Sequence, residues 1–241
     1  LPICLIDTEW LARELVHFVS TEANDQKFIQ QLTLNKDEAG NYFNWGGLKF
    51  FLANYEDALR SKAGESSILK AALTPRDQTA PNDFYHREHI LADQDFTAFN
   101  DQDERDISKR RLGNFLLLRE TTNIKVSNKR PEEKVALYFA DRLHEPNTLM
   151  IRELKEWLDA AVAMCDQEWE RKTQNYWRHV YARFLDTREQ ALVNFALGRW
   201  RVEGVTRAVD RVEIDSFQEG NEMFRCARAC DDGTLEIRNA E

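Results

Sequence analysis

Two short stretches, Glu88-His89-Ile90-Leu91 and Leu112-Gly113-Asn114-Phe115-Leu116-Leu117-Leu118, decide what this chain builds. The second is a continuous apolar run opened by a glycine, and its length suits a buried strand rather than a helix. The first closes the segment Phe84 to Leu91, which is aromatic and apolar at both ends and reads as a short strand. Within and beyond them lie Glu88, His89, Asn114, Asn123 and Lys134. A phosphodiester hydrolase needs a base to activate water, a metal on the phosphate oxygens and groups that hold the base in place. His89 is a natural base, because imidazole titrates near neutral pH. Glu88 offers a carboxylate and Asn123 an amide oxygen, both hard donors suited to Mg²⁺. Neighbouring strand residues face opposite ways, so Glu88 and His89 serve one site only where the strand bends or ends.

Outward from this centre the pattern is helical. Trp10, Leu11, Leu15, Phe18 and Val19 form one apolar stripe, and residues 7–34 read as a helix. Leu48, Phe51, Leu52, Tyr55 and Leu59 predict a second over 48–60. Residues 64–81 are polar, hold two prolines and read as a loop or a boundary. Asp103 to Arg111 suits a short helix. Pro131 with Glu132 and Glu133 marks a helix start reaching about Leu143, with proline in the first turn and acids at the positive end of the dipole. Residues 148–171 are strongly amphipathic, and a last helix runs from about Gln174 to Trp200 with a break expected near Asp186-Thr187. The final forty residues alternate with turns and read as a small β-meander. The expected fold is therefore mainly α, with a small β-containing insert, in four parts: helical 1–80, a core at 81–145, helical 146–203 and a β-rich tail at 204–241.

The composition of the 241 residues, 42% hydrophobic and 31% charged with six Trp and 14 Phe, excludes a disordered chain. No apolar run is long enough to span a bilayer, and no signal peptide opens the chain. The first residue is Leu1, which fits a processed product or a fragment. Four cysteines are too sparse for a disulfide scaffold, and Cys226 and Cys230 lack the further ligands of a zinc site, so a reducing, cytoplasmic setting is expected. The net charge of −9 argues against nucleic acid until its distribution is read. Residues 105–134 carry nine basic and four acidic side chains. This basic island in an acidic protein is a candidate polyanion site, with a solvated helical face as the plainer explanation.

The order Glu88-His89-Ile90-Leu91, Leu112 to Leu118, Asn123, Lys134 resembles the HNH, or ββα-metal, nuclease motif. It is most similar to the version in the C-terminal domain of GmrSD-type modification-dependent restriction endonucleases, and Gly47 to Glu56 looks like the helix preceding the motif there. The resemblance implies a small ββα-metal core and a metal-dependent DNA endonuclease that nicks or cleaves phosphodiester bonds. It implies His89 as general base, Glu88 and Asn123 as ligands of Mg²⁺ or Mn²⁺, Asn114 as the residue that fixes the His89 loop, and Lys134 as a phosphate contact. Asn128 is a nearby rival to Asn123. Ala92 stands where the family has proline, a change worth about 0.4–1 kcal/mol of preorganisation.

Lys109, Arg110, Arg111, Lys125, Lys129 and Arg130 are then the candidate DNA-binding residues. The resemblance also implies modified or foreign DNA as partner and an N-terminal NTPase or sensor domain, neither of whose signatures occurs here. Two other functions compete: a catalytically idle DNA-binding or regulatory domain on the same scaffold, and an RNA-directed nuclease. Each motif residue also has a plain structural explanation. His89 beside Glu88 can be a surface pair, Asn114 after Gly113 can be turn chemistry, and the tryptophans read as core.

Overall fold

The computed structural model describes residues 8–33, 42, 45–80, 83–92, 102–140, 148–173, 175–200, 227–229 and 235–237. They belong to two compact units, one formed by Leu1–Asn35 with Val193–Glu241 and the other by Lys36–Leu192.

In the first unit the expected N-terminal helix is two: α1 (Thr8–Thr21) and α2 (Asp25–Thr33). Asn24 makes the break, its Oδ1 accepting the Lys27 backbone N–H at 2.9 Å as an N-cap. Ile29 and Leu32 of α2 are buried, whereas Trp10, Leu11, Leu15 and Phe18 of α1 are exposed. The C-terminal meander reduces, among the described residues, to one antiparallel strand pair, Ala227–Ala229 with Leu235–Ile237, and the former lies against α2. The strand expected around Val209 to Ile214 lies outside the described residues.

The second unit is mainly helical around a two-stranded antiparallel sheet. Its order is α3 (Leu48–Ala63), α4 (Leu69–Leu73), β1 (Tyr85–His89), α5 (Gln102–Arg110), β2 (Phe115–Arg119), α6 (Glu120–Val126), α7 (Pro131–Ala140), α8 (Leu149–Glu168) and α9 (Tyr176–Trp200), whose first part belongs here. Two expectations change. The polar stretch 64–81 holds α4 and a 3₁₀ turn at Arg76–Gln78 rather than loop alone. Helix α9 runs unbroken through Asp186-Thr187. It does so because Arg188 and Glu189, just beyond, are buried and bonded to the sheet and its flank.

Leu116 to Leu118 are buried on both faces, because α3 and α6 each pack against both strands. In register, His89 faces Phe115, Arg87 faces Leu117 and Tyr85 faces Arg119. Among the described residues no third strand pairs with the outer edge of β2, so its carbonyls need other donors. Arg188 Nη2 donates to the Phe115 carbonyl at 2.6 Å, and Thr148 Oγ1 to that of Leu117 at 3.3 Å. Thr148, so occupied, does not cap α8. Glu56 of α3 takes its place, accepting the Leu149 and Met150 N–H groups at 2.8 and 3.0 Å while pairing with Arg60 at 2.8 Å. Its carboxylate thus sits on the positive end of the α8 dipole. No helix of the described residues is long and apolar enough to cross a membrane.

Candidate active site

Strand β1 ends at His89, which meets the condition for Glu88 and His89 to serve one place. The ladder closes one step further, where Ile90 N–H donates to the Asn114 carbonyl at 2.9 Å. Asn114 is wholly buried. Its Oδ1 accepts the Leu91 N–H at 2.7 Å, and its Nδ2 donates to the Leu91 and Lys109 carbonyls at 3.2 and 2.7 Å. One side chain therefore holds both the turn after His89 and the end of α5. The His89 ring lies 4.7 Å from that of Phe115, its partner across the sheet.

Lys134 of α7 reaches the same strand end from beneath. It is buried, and its Nζ donates to Glu88 Oε1 and to the His89 carbonyl, both at 2.5 Å. Burial pushes the Glu88 carboxyl above the usual carboxylate range, and the Lys134 ammonium opposes that shift. In this arrangement Lys134 is committed to the strand rather than turned to an outside phosphate. Asn123 is half-buried on α6, and its carbonyl accepts the Ser127 N–H at 3.2 Å. Ser127 ends that helix at φ 44°. Asn128, the rival, is exposed just beyond it.

The basic island is not one face. Arg111 departs most from the expected DNA contact: it is buried, with Nη2 2.5 Å from Asp186 and 2.6 Å from Glu189 of α9. A buried guanidinium shared by the half-buried Asp186 and the buried Glu189 is not available to a phosphate. Lys109 lies 3.1 Å from Asp106, with Arg110 3.9 Å from the same residue. Lys129 is exposed, and Arg130 lies 3.9 Å from Glu132. The side chain of Lys125 lies outside the described residues.

Gly113 explains how α9 comes so close. A Cβ there would stand 2.7 Å from the Leu185 carbonyl oxygen, nearer than packing allows. Glycine before Asn114 thus lets α9 lie on the turn that carries the clamp.

A family model described as GmrSD restriction endonucleases, C-terminal domain, matches residues 22–168. The chain belongs to that family. No curated protein and no solved structure matches it. The GmrSD match contains β1, β2, α6, α7 and α8, so Glu88, His89, Asn114, Asn123 and Lys134 all fall within it. Membership makes this a restriction endonuclease domain, with nuclease activity and DNA as substrate. The match ends before α9, yet α9 supplies Asp186, Arg188 and Glu189 to the site's support. Sequence reasoning missed these three, and Glu56 as well, because each acts through a partner more than seventy positions away.

Proposed function

We propose that this domain is a metal-dependent endonuclease of the HNH type, in which His89 takes a proton from the water that attacks a DNA phosphodiester. The observation that carries this reading is the Asn114 clamp on Leu91. It fixes the turn immediately after His89, and a general base must be held to within a fraction of an ångström to act. The Phe115 ring supports the imidazole from the neighbouring strand.

The donor chemistry at the strand end fits a hard, hydrated cation. Glu88 gives one carboxylate and Asn123 one amide oxygen, on a strand and a helix that pack together. Among the described residues no group of three or more His, Cys, Asp or Glu could hold a metal. A cation held by these two donors therefore keeps several waters, as Mg²⁺ or Mn²⁺ does. When bound, such an ion stabilises charge on the phosphoryl oxygens. Lys134 favours the ionised form of the half-buried Glu88 and fixes its direction through the His89 carbonyl. The domain acts as the effector of a restriction or phage-defence protein, in the cytoplasm, with modified or foreign DNA selected by an NTPase or sensor part.

The test is cleavage of supercoiled plasmid with Mg²⁺ or Mn²⁺ against EDTA, beside an RNA of similar length. Metal-dependent nicking or linearisation of DNA is expected, and His89→Ala lowers it by about 10²–10⁴-fold without loss of fold. A His89→Ala protein that cuts at the original rate removes His89 as base, and preferential cleavage of RNA changes the substrate.

A further inference from the structure

Arg188 of α9 is wholly buried and lies beyond the end of the family match, in the same compact unit as His89. Its Nη2 donates to the Phe115 carbonyl at 2.6 Å and lies 3.9 Å from Met150 Sδ. Its Cζ is 5.8 Å from the centre of the Trp157 ring. Among the described residues, its Nε and Nη1 have no hydrogen-bond partner. A buried guanidinium bonded through one nitrogen recovers little of its desolvation cost, so stability alone does not account for arginine here. What an apolar side chain could not supply is the bond to Phe115.

That bond bears on the candidate base through strand geometry. Phe115 stands opposite His89 in the sheet. Its carbonyl points off the outer edge of β2 to Arg188, away from β1. One step on, Ile90 N–H bonds the Asn114 carbonyl, as the alternation of the ladder requires. His89 and Phe115 are therefore a non-hydrogen-bonded pair, in which facing side chains come closest. Their rings lie 4.7 Å apart at 57°. The same stretch of α9 holds the residues just before: Asp186 and Glu189 take Arg111, and the Leu185 carbonyl lies against Gly113. Residues 111–115 thus rest on 185–189, and Arg188 is the part that reaches Phe115.

We propose that Arg188 is a positioning residue for cleavage: it holds the Phe115 backbone so that the Phe115 ring keeps the His89 imidazole in its working orientation. The consequence for cleavage rests on the nuclease reading, but the orientation of the ring is a property of the resting protein and is measured without DNA. Buried as it is, Arg188 does not reach the substrate and acts only through Phe115.

The experiment records the histidine ring signals of the full chain by carbon–proton NMR, with His89→Ala identifying those of His89. Arg188→Met and Arg188→Gln both remove the bond, the first keeping an apolar stem and the second an amide that ends at the depth of Nε. In both, the His89 ring signals are expected to move as the Phe115 ring shifts against them. Those of His179, stacked on Trp169 at 4.0 Å, and of His86, 4.9 Å from Phe84, are expected to stay. Plasmid cleavage at saturating DNA should slow by about 10–10²-fold with KM unchanged, the scale of a small misplacement of a reacting group. Arg188→Lys, which returns a donor, should recover part of both effects. Thermal unfolding checks each fold, and should Arg188→Met not fold, Arg188→Gln carries the test. Phe115→Leu keeps the carbonyl and removes the ring, so it should slow cleavage alike whatever the Arg188 variants do. Unmoved His89 signals in a folded Arg188 variant overturn the proposal, as does undiminished cleavage in that variant or in Phe115→Leu. Movement of His179 together with His89 also overturns it, by making Arg188 general packing of α9. His89 signals that move in a protein whose original form does not cleave DNA leave Arg188 as the holder of the ring and remove the nuclease.

Discussion

Asn114 and Leu91 are joined by a closed pair of hydrogen bonds, amide to peptide, in which the Leu91 N–H donates to Oδ1 and its carbonyl accepts from Nδ2. The side chain thereby imitates one further rung of the β1–β2 ladder, just past His89. With Asn114 removed, the Leu91 N–H, the Leu91 carbonyl and the Lys109 carbonyl lose these partners.

Asn114→Ala is therefore expected to destabilise the fold, at about 1–3 kcal/mol for each buried group that stays unsatisfied. Asn114→Asp keeps the acceptor for Leu91 N–H but turns the donor into a second acceptor facing two carbonyls, and should fare no better. Urea unfolding of both variants measures the cost. A loss under about 0.5 kcal/mol in Asn114→Ala would show that water replaces the clamp.

Lys134 is buried and Glu88 half-buried, so losing the cation leaves a largely desolvated carboxyl without its partner. Removing one partner of a fully buried pair costs about 3–5 kcal/mol, and the half-buried Glu88 places this case at or below the lower end. Lys134→Met should lower the melting temperature accordingly. If Glu88 is a metal ligand, Mg²⁺ or Mn²⁺ restores part of the missing positive charge. The thermal shift on adding metal should then be larger in Lys134→Met than in the original protein. Equal shifts in the two proteins would detach Glu88 from the metal.

The residues readable from sequence are those whose roles are local. The apolar run at Phe115 to Leu118 is a strand because it is buried on both faces, and Pro131 with its two glutamates starts α7 where dipole and proline rules put it. The break expected near Asp186-Thr187 is absent, because the polar Arg188 and Glu189 just beyond it have interior partners. Charge counting grouped Arg111 with Lys129, whereas the structure buries one and exposes the other.

Glu56 supplies a pH dependence that can be worked out in sign. Burial raises its carboxyl above the usual range, against the lowering effects of the Leu149 and Met150 N–H groups and of Arg60. The folded protein therefore binds this proton more tightly than the unfolded chain. Its contribution is fully present below the unfolded pKa of about 4.3 and declines as pH rises through the folded value. Glu56→Gln should be less stable throughout, because an amide cannot accept all three bonds. The gap to the original protein should be widest at the acidic end and narrow toward neutrality. Urea midpoints at a series of pH values decide this. A gap that widens with pH would mean that the helix cap and Arg60 outweigh burial.

Arg111 separates two roles that its charge alone would confuse. As a DNA contact it would affect affinity and salt dependence and leave stability alone. As the partner of Asp186 and Glu189 it should do the reverse. Glu189 is itself buried, and the helix that carries it lies against the backbone of Gly113. Arg111→Met should therefore cost about 3–5 kcal/mol by stranding the Glu189 carboxylate. Adding Glu189→Met to it should return much of that loss, since two apolar side chains of similar size remove both charges together. The double-mutant cycle should show strong coupling, of the size found for residues in direct contact. Under conditions where Arg111→Met remains folded, its DNA affinity and salt slope should match those of the original protein. An additive cycle with a slope reduced by about one unit would return Arg111 to the DNA-binding face and leave α9 as packing alone.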